Sequence, residues 1–251
     1  MVGAFVRETA GHSAATQKFM SVPNHSAPRT TWVVVAAYNE AATIGRVVAD
    51  VKARGYPVLV VDDGSADRTA LIAASNGATV VEHPINLGQG AALQTGICYA
   101  LERGAAAIVT FDADGQHRAS DISSLVEALD RERADFALGS RFLGQCLRGP
   151  FIRRLVLRAA TLLTRLTTGL RLTDTHNGLR AMTRRGASII RLRQNRMAHA
   201  SEILGQIAKS GLHYVEVPVT VEYTSYSLAK GQRISDSITI LTDLFAERLY
   251  R

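Results

Sequence analysis

The chain has 251 residues, 47% of them hydrophobic and 20% charged, with 29 basic against 22 acidic side chains. That length supports one α/β domain or two small ones, and twenty glycines with six prolines exclude a collagen-like or proline-rich disordered chain. The longest clean apolar run, Trp32 to Tyr38, has seven residues, far short of the roughly 20 that a membrane-spanning helix needs.

Residues 1–30 are rich in Ala, Ser, Thr and His without periodicity and are expected to form a flexible tail. They lack an apolar leader segment, so no secretory signal is expected. Strands and helices then alternate. Trp32 to Ala37 is a continuous apolar run, as expected of a strand buried on both faces. Thr43 to Arg54 has helical spacing. A second buried strand, Val58 to Val61, ends in Asp62-Asp63-Gly64-Ser65. Asp67 is placed to cap a helix reaching about Asn76, where Gly77 stops it. Thr79 to Val81 is a short strand. After Asn86-Leu87-Gly88 a helix carries Leu93, Ile97, Ala100 and Leu101 on one stripe. Ala107 to Phe111 is a strand that runs into Asp112-Ala113-Asp114. Ser120 and Asp121 open a helix to about Arg133, and Phe136 to Leu138 is another strand.

This alternation predicts a mostly parallel sheet covered on both faces, with ligands at the carboxyl ends of the strands. The second half is less regular. A helical pattern covers 150–169, a short helix Ser201 to Ser210, and a strand Tyr214 to Tyr223, whose Pro218 marks it as an edge. A polar loop follows over 224–233, then an amphipathic helix over 234–251. Cys98 and Cys146 have no metal-type or redox-type spacing and are expected to be free thiols in a reducing cytosol.

The charge is uneven. No acidic residue lies between Asp135 and Asp174, while that gap holds Arg141, Arg148, Arg153, Arg154, Arg158, Arg165 and Arg171. A localised basic segment seeks an anionic surface. At 100° per residue Leu155, Val156, Ala159, Leu162, Leu163 and Leu166 share one face of a helix, and Arg154, Arg158 and Arg165 the other. Such a helix can lie in a membrane interface or cover the protein's own core. Nucleic acid is not expected as a partner, because only Phe142 and Phe151 interleave with these arginines.

The strongest chemical signal is Phe111-Asp112-Ala113-Asp114-Gly115-Gln116-His117. Two carboxylates leaving a buried strand repel each other unless a cation neutralises them. A hard divalent ion, Mg²⁺ or Mn²⁺, would do so and keep positions open for diphosphate oxygens. Asp62-Asp63-Gly64-Ser65 can hold a ribose or the edge of a base, or can serve as a helix cap. In Ala37-Tyr38-Asn39-Glu40, Tyr38 can stack on a base that Glu40 hydrogen-bonds, or the cluster simply starts a helix. Gly88-Gln89-Gly90 resembles part of a dinucleotide fingerprint but follows the third strand, and there is no Walker A motif, so dehydrogenase and P-loop readings are excluded.

Together, Val33 to Glu40, Val60 to Ser65, Asn86-Leu87-Gly88 and Asp112 to Gln116 stand in the order found in GT-A glycosyltransferases of family 2. The chain resembles most the dolichol- or polyprenyl-phosphate hexose synthases of that family. Gly139-Ser140-Arg141 and Asp174 to Arg180 extend the likeness, which covers about residues 31–233. It implies the α/β GT-A fold, with a nucleotide-binding, Rossmann-like sheet over 31–233 and amphipathic helices in the C-terminal half. It also implies that Ala36, Tyr38, Glu40, Asp62 and Asp63 hold the nucleotide, with Asp112 shared between nucleotide sugar and metal. Asp112, Asp114 and Gln116 would bind Mg²⁺ or Mn²⁺. Arg141, Lys230 and Arg233 would handle phosphates. Two positions depart from the family pattern: Ala36 replaces a usual proline, and His176-Asn177 precede Gly178 where Ser-Gly neighbours are more usual.

The expected reaction is inverting transfer of a hexose from a nucleoside diphosphate sugar, UDP-glucose or GDP-mannose, to a polyprenyl monophosphate. The resemblance leans to UDP-glucose. The acceptor phosphate is already anionic and needs no strong base, and Arg141 would orient it. An acceptor sugar hydroxyl would need a base, for which Asp174 or Glu202 could serve. A non-catalytic nucleotide-sugar or lipid-binding module is the alternative from another class. Arg154, Arg158 and Arg165 are expected at the membrane and acceptor side. The expected location is the cytoplasmic face of the membrane, with a small separate membrane protein as recruiting partner.

Overall fold

The computed structural model describes residues 30–147, 158, 161–162, 164–195 and 198–222. Its strands are β1 (Thr31–Ala37), β2 (Val58–Asp62), β3 (Thr79–Glu82), β4 (Ala107–Asp112), β5 (Phe136–Leu147), β6 (Arg180–Thr183) and β7 (Tyr214–Glu222). They form one sheet in the order β3-β2-β1-β4-β6-β5-β7. Every neighbouring pair is parallel except those made by β6, which runs antiparallel between β4 and β5. Its helices are α1 (Ile44–Lys52), α2 (Thr69–Ser75), α3 (Gln89–Glu102), α4 (Asp121–Arg131), α5 (Arg184–Ile189) and α6 (His199–Ser210). Residues 164–168 are also helical.

Side chains alternate across a strand, so a strand covered on both faces needs apolar residues at both parities. Val33, Val35 and Ala37 of β1 join Val58 and Val60 of β2 and Val109 and Phe111 of β4 in one core. The helices over that face supply Ile44, Val47, Val48 and Val51 from α1 and Ile122, Leu125 and Leu129 from α4. Val34, Leu59, Val61 and Ile108 enter the opposite core, against Leu93, Ile97 and Ala100 of α3 and Ile203, Leu204 and Ile207 of α6. The stripe read from sequence on α3 therefore packs as expected, with Leu101 partly buried beside it.

Four features differ from the sequence reading. β6 and α5 were not foreseen: four and six residues are too few to display a period, and both open on arginine. β5 runs on to Leu147 through an irregularity between Ser140 and Gln145, where the apolar pattern has already stopped. α6 starts at His199, two residues before the expected Ser201. β7 does lie at the sheet edge, consistent with Pro218. Residues 1–29 and 223–251, including Lys230, Arg233 and the expected terminal helix, lie outside the described residues, as do Arg148, Arg153 and Arg154.

Candidate active site

Three parallel strands end side by side. Register sets Ala36 of β1 between Val61 of β2 and Asp112 of β4, and Ala37 beside Asp62. The loops that leave these ends are tied together. Asn39 takes a left-handed conformation (φ 53°). Its N–H donates to Ser65 Oγ at 2.8 Å, and its Oδ1 accepts from Ala66 N–H at 2.8 Å. Glu40 N–H donates to Thr69 Oγ1 at 2.8 Å, and the Glu40 carboxylate accepts from Thr43 Oγ1 at 2.9 Å. Tyr38, just before Asn39, has 45% of its surface exposed. Asp62 Oδ1 accepts from the Ser65 hydroxyl and from Ser65 N–H.

Asp63 points another way. Its carboxylate accepts from Leu87 N–H at 2.9 Å and Gly88 N–H at 2.6 Å, and His83 Nδ1 lies 2.8 Å from Oδ1. The other His83 nitrogen meets Thr95 Oγ1 at 3.0 Å. Asp63 is thus an internal anchor for the 86–88 turn that starts α3, and a nucleotide-binding role does not follow from its geometry. That turn is covered in its turn by residues 191–195. Gly90 N–H donates to the Asn195 carbonyl at 2.9 Å, and a Cβ on Gly88 or Gly90 would run into the backbone of Asn195 or Gln194. Glu202 holds this cover by accepting from Arg193 and Gln194 N–H, and Gln94 and Gln206 accept from Leu192 and Arg191 N–H.

At the end of β4, Asp112 accepts from Gln89 Nε2 at 3.3 Å and from His117 Nε2 at 3.1 Å. Desolvation pushes the Asp112 carboxyl up, but the His117 hydrogen bond and the charges of His117, His199 and Arg180 outweigh it and hold the group below its ordinary range. Asp114 behaves oppositely. Burial, then repulsion from Asp112, push it up to about 6, with Glu40 adding to the rise and the Gln116 hydrogen bond and His117 opposing it. Gln116 donates to Asp114 from both its backbone N–H (3.0 Å) and its side chain (2.8 Å). Gly178 backs directly onto Asp112, since a Cβ there would overlap both carboxylate oxygens. Thr110 Oγ1 donates to the Gly178 carbonyl at 2.7 Å and fixes that approach.

Two carboxylates with a third nearby, Glu40, fit a divalent cation in charge and in donor type. The described residues contain no cluster of three His, Cys, Asp or Glu side chains able to hold a metal by themselves. Two carboxylates and an amide would leave coordination positions to other oxygen donors.

Beyond β6 the expected acceptor-side residues form a buried ion pair. Arg141 Nε donates to Asp174 Oδ2 at 2.6 Å, Arg141 N–H to the same oxygen at 3.1 Å, and Nη2 to the His176 carbonyl at 2.7 Å. Glu216 of β7 accepts from Thr173 and Asp174 N–H and steadies the loop. Burial pulls His176 down to about 4. Beside this loop lies a hollow of about 350 Å³ lined by Phe142, Arg158, Thr161, Leu162, Arg165 and Thr173. Thr161 and Thr164 face inward, whereas Leu162 and Leu166 are 57% and 76% exposed. Arg158 lies 5.6 Å from the Phe142 ring centre, and Arg165 Nε donates to the Leu172 carbonyl.

The structure thus gathers Ala36, Glu40, Asp62, Asp112, Asp114 and Gln116 around the carboxyl ends of β1, β2 and β4, with Tyr38 beside them, and sets Arg141 with Asp174 across β6. Sequence reasoning missed His117, Gln89, Gly178 and Arg180 as partners of Asp112. His117 was visible in the acidic motif and Gly178 in the Asp174 motif, but neither carries a charge pattern that points to Asp112. No described helix is long and apolar enough to cross a membrane.

Known proteins resemble this chain in sequence and in fold. The chain is 30% identical over 230 residues to the UDP-N-acetylglucosamine–dolichyl-phosphate N-acetylglucosaminyltransferase of Methanococcus voltae, spanning 83% of this chain and 92% of that one. It is 31% identical over 224 residues to the polyprenol monophosphomannose synthase of Mycolicibacterium smegmatis, with 83% and 84% covered. Its fold matches glucosyl-3-phosphoglycerate synthase from Mycobacterium tuberculosis, crystallised with Mn²⁺, UDP and glucosyl-3-phosphoglycerate, at a TM-score of 0.69 and 21% identity over 87% and 79% of the two chains. Residues 32–190, from β1 through α5, match the model for glycosyl transferase family 2, and the chain belongs to that family of sugar-transferring enzymes.

Proposed function

We propose that this glycosyltransferase moves a hexose from a nucleoside diphosphate sugar to a polyprenyl monophosphate at a membrane surface, with inversion at the sugar. The observation that carries this reading is the hollow beside the Asp174 loop, rimmed by Arg158, Arg165 and the exposed Leu162, in a chain that also carries the Asp112–Asp114 pair at the end of β4. Arginines beside outward-facing leucines suit a phosphate on an apolar chain. The named relatives act on dolichyl or polyprenol phosphate, which supports the same acceptor class here.

In this reading Ala36, Tyr38, Glu40 and Asp62 hold the nucleotide, and Asp63 acts one step back by fixing the 86–88 turn. Asp112, Asp114 and Gln116 would hold Mg²⁺ or Mn²⁺, which would neutralise negative charge on the leaving diphosphate. Arg141 keeps the Asp174 loop in place and adds positive charge on the acceptor side. Lys230 and Arg233 are assigned to the diphosphate on the family resemblance alone, and Arg154 to the lipid side on the helical spacing of the basic segment. The acceptor phosphate attacks the anomeric carbon from the face opposite the diphosphate, and no protein base has to remove a proton.

A hydroxyl acceptor is less well supported. Asp174 is bound into its pair with Arg141, and Glu202 is filled by backbone N–H groups. Neither carboxylate is presented as a base. The decisive experiment offers UDP-glucose, GDP-mannose and UDP-N-acetylglucosamine to polyprenyl phosphate in vesicles, with Mn²⁺ or with EDTA. Chelation-sensitive formation of a lipid-linked sugar supports the reading, and no transfer to the lipid phosphate from any of the three donors overturns it. The proposed location is peripheral, on the cytoplasmic face, and a small membrane protein as recruiter is tested by vesicle binding of the purified chain alone.

A further inference from the structure

Glu216 lies on β7, opposite Leu138 of β5. Its carboxylate accepts from Thr173 N–H at 2.8 Å, from Thr173 Oγ1 at 2.9 Å and from Asp174 N–H at 3.1 Å. An ionised carboxylate only accepts, and a hydroxyl has one proton to give. Thr173 spends that proton on Glu216, so in its 2.6 Å contact with Ser140 Oγ it accepts and Ser140 donates. Ser140 Oγ in turn takes the Phe142 and Leu143 N–H groups at 3.3 Å each, where the ladder between β5 and β7 becomes irregular. The result is a one-way hydrogen-bond chain from the Phe142 backbone through two hydroxyls to Glu216. Phe142 and Thr173 both line the hollow beside the Asp174 loop, and Arg158 lies 5.6 Å from the Phe142 ring centre.

We propose that Glu216 is a positioning residue for the acceptor: its carboxylate orders the chain through Thr173 and Ser140 and so sets two walls of the hollow. One is the Thr173 side, and the other is the Phe142 side that carries Arg158. The inference rests on the reading of that hollow as the prenyl-phosphate site. On the donor side Asp62, Asp112 and Asp114 hydrogen-bond instead to Ser65, His117 and Gln116. Breaking the chain therefore loosens acceptor binding and leaves donor binding alone. A carboxylate that only braced the fold would lower the melting temperature and shift both KM values together.

The test measures initial rates of the full chain on a short, water-soluble prenyl phosphate, which keeps membrane docking out of the result. The donor is whichever of UDP-glucose, GDP-mannose and UDP-N-acetylglucosamine the wild type turns over. Glu216→Gln sets an NH₂ group against N–H donors, and Thr173→Val removes the relaying hydroxyl. Each should raise the acceptor KM about tenfold, the scale of one charge-assisted hydrogen bond, and move the donor KM by less than about twofold. Thr173→Ser restores the hydroxyl and should recover most of that loss. An unchanged acceptor KM in Thr173→Val, equal rises in both KM values, or no recovery in Thr173→Ser overturns the inference alone. If Glu216→Gln does not fold, the two Thr173 variants decide by the same criteria. A wild type that transfers to prenyl phosphate from none of the three donors overturns the acceptor reading and this inference with it.

Discussion

Gly178 lies against the carboxylate of Asp112 so closely that no other residue type fits without moving it. The contact joins the start of β6 to the end of β4 and fixes where the first acidic side chain of the site can point. Gly178→Ala should displace Asp112 at a modest stability cost of about 1–3 kcal/mol, typical of an added methyl in a packed place. Because a small misplacement of a positioning group costs about 100-fold in rate, transfer should fall by that order. Initial rates and a thermal melt on the same preparation check this, and wild-type turnover in Gly178→Ala would remove Asp112 from the chemistry.

The pH dependence of stability separates two groups with opposite signs. Asp114 sits at about 6 in the fold against an ordinary 3.8, so the folded chain binds more protons between those values. Stability contributed by this group is therefore lost as pH rises through that window, by up to about 3 kcal/mol. His176 sits at about 4 against an ordinary 6.5, so the folded chain binds fewer protons and stability rises over nearly the same window. In metal-free protein the two slopes oppose each other. Melts in EDTA from pH 4 to 6.5 should rise more steeply with pH in Asp114→Asn than in wild type. They should rise less steeply, or fall, in His176→Gln. Profiles that superimpose on wild type would contradict both assignments.

The parts of the fold that were legible in the sequence are those where burial is two-sided. Val33 to Ala37, Val58 to Val61 and, apart from Thr110, Ala107 to Phe111 are apolar at successive positions, because helices cover both faces, and an acidic residue at the end of such a run stands out. β6 could not be read this way. It has four residues, begins with a buried arginine and takes its place from the strands on either side. The site was legible in its acids and not in their orientation. Asp62 and Asp63 are adjacent and alike in sequence, yet Asp63 turns inward to the 86–88 backbone. The basic helix was legible as amphipathic, but which side faces the protein was not: Thr161 and Thr164 go inward, while Leu162 and Leu166 go out.

Glu202 and Asp174 give a direct test of whether a protein base is used. Glu202 spends its carboxylate on Arg193 and Gln194 N–H groups. Glu202→Gln should lower stability by about 1–2 kcal/mol through weakened charge-assisted hydrogen bonds and reduce transfer less than about tenfold. The general-base contribution it would otherwise lose is about 100-fold or more. Asp174→Asn leaves Arg141 buried without its partner carboxylate. It should cost about 3–5 kcal/mol, measured as a lowered denaturant midpoint. Near-complete loss of transfer in Glu202→Gln at unchanged stability would restore the hydroxyl-acceptor reading.

The exposed leucines make the membrane part of the proposal testable apart from catalysis. Leu162 and Leu166 lie one helical turn apart on the outer side of the segment, away from the inward-facing Thr161 and Thr164. Burying a leucine in an apolar medium contributes about 1.5–3 kcal/mol, so the pair would supply a large share of a weak interfacial attachment. Arg158 and Arg165 add attraction to anionic headgroups that salt screens. The double change Leu162→Glu with Leu166→Glu should lower co-sedimentation with anionic vesicles at least about tenfold and raise the apparent KM for a long-chain polyprenyl phosphate. A short, water-soluble prenyl phosphate never needs the membrane, so its turnover should stay close to wild type. Equal loss on both acceptors would mean that these leucines shape the hollow itself, whereas unchanged vesicle binding would move the membrane contact to another face of the protein.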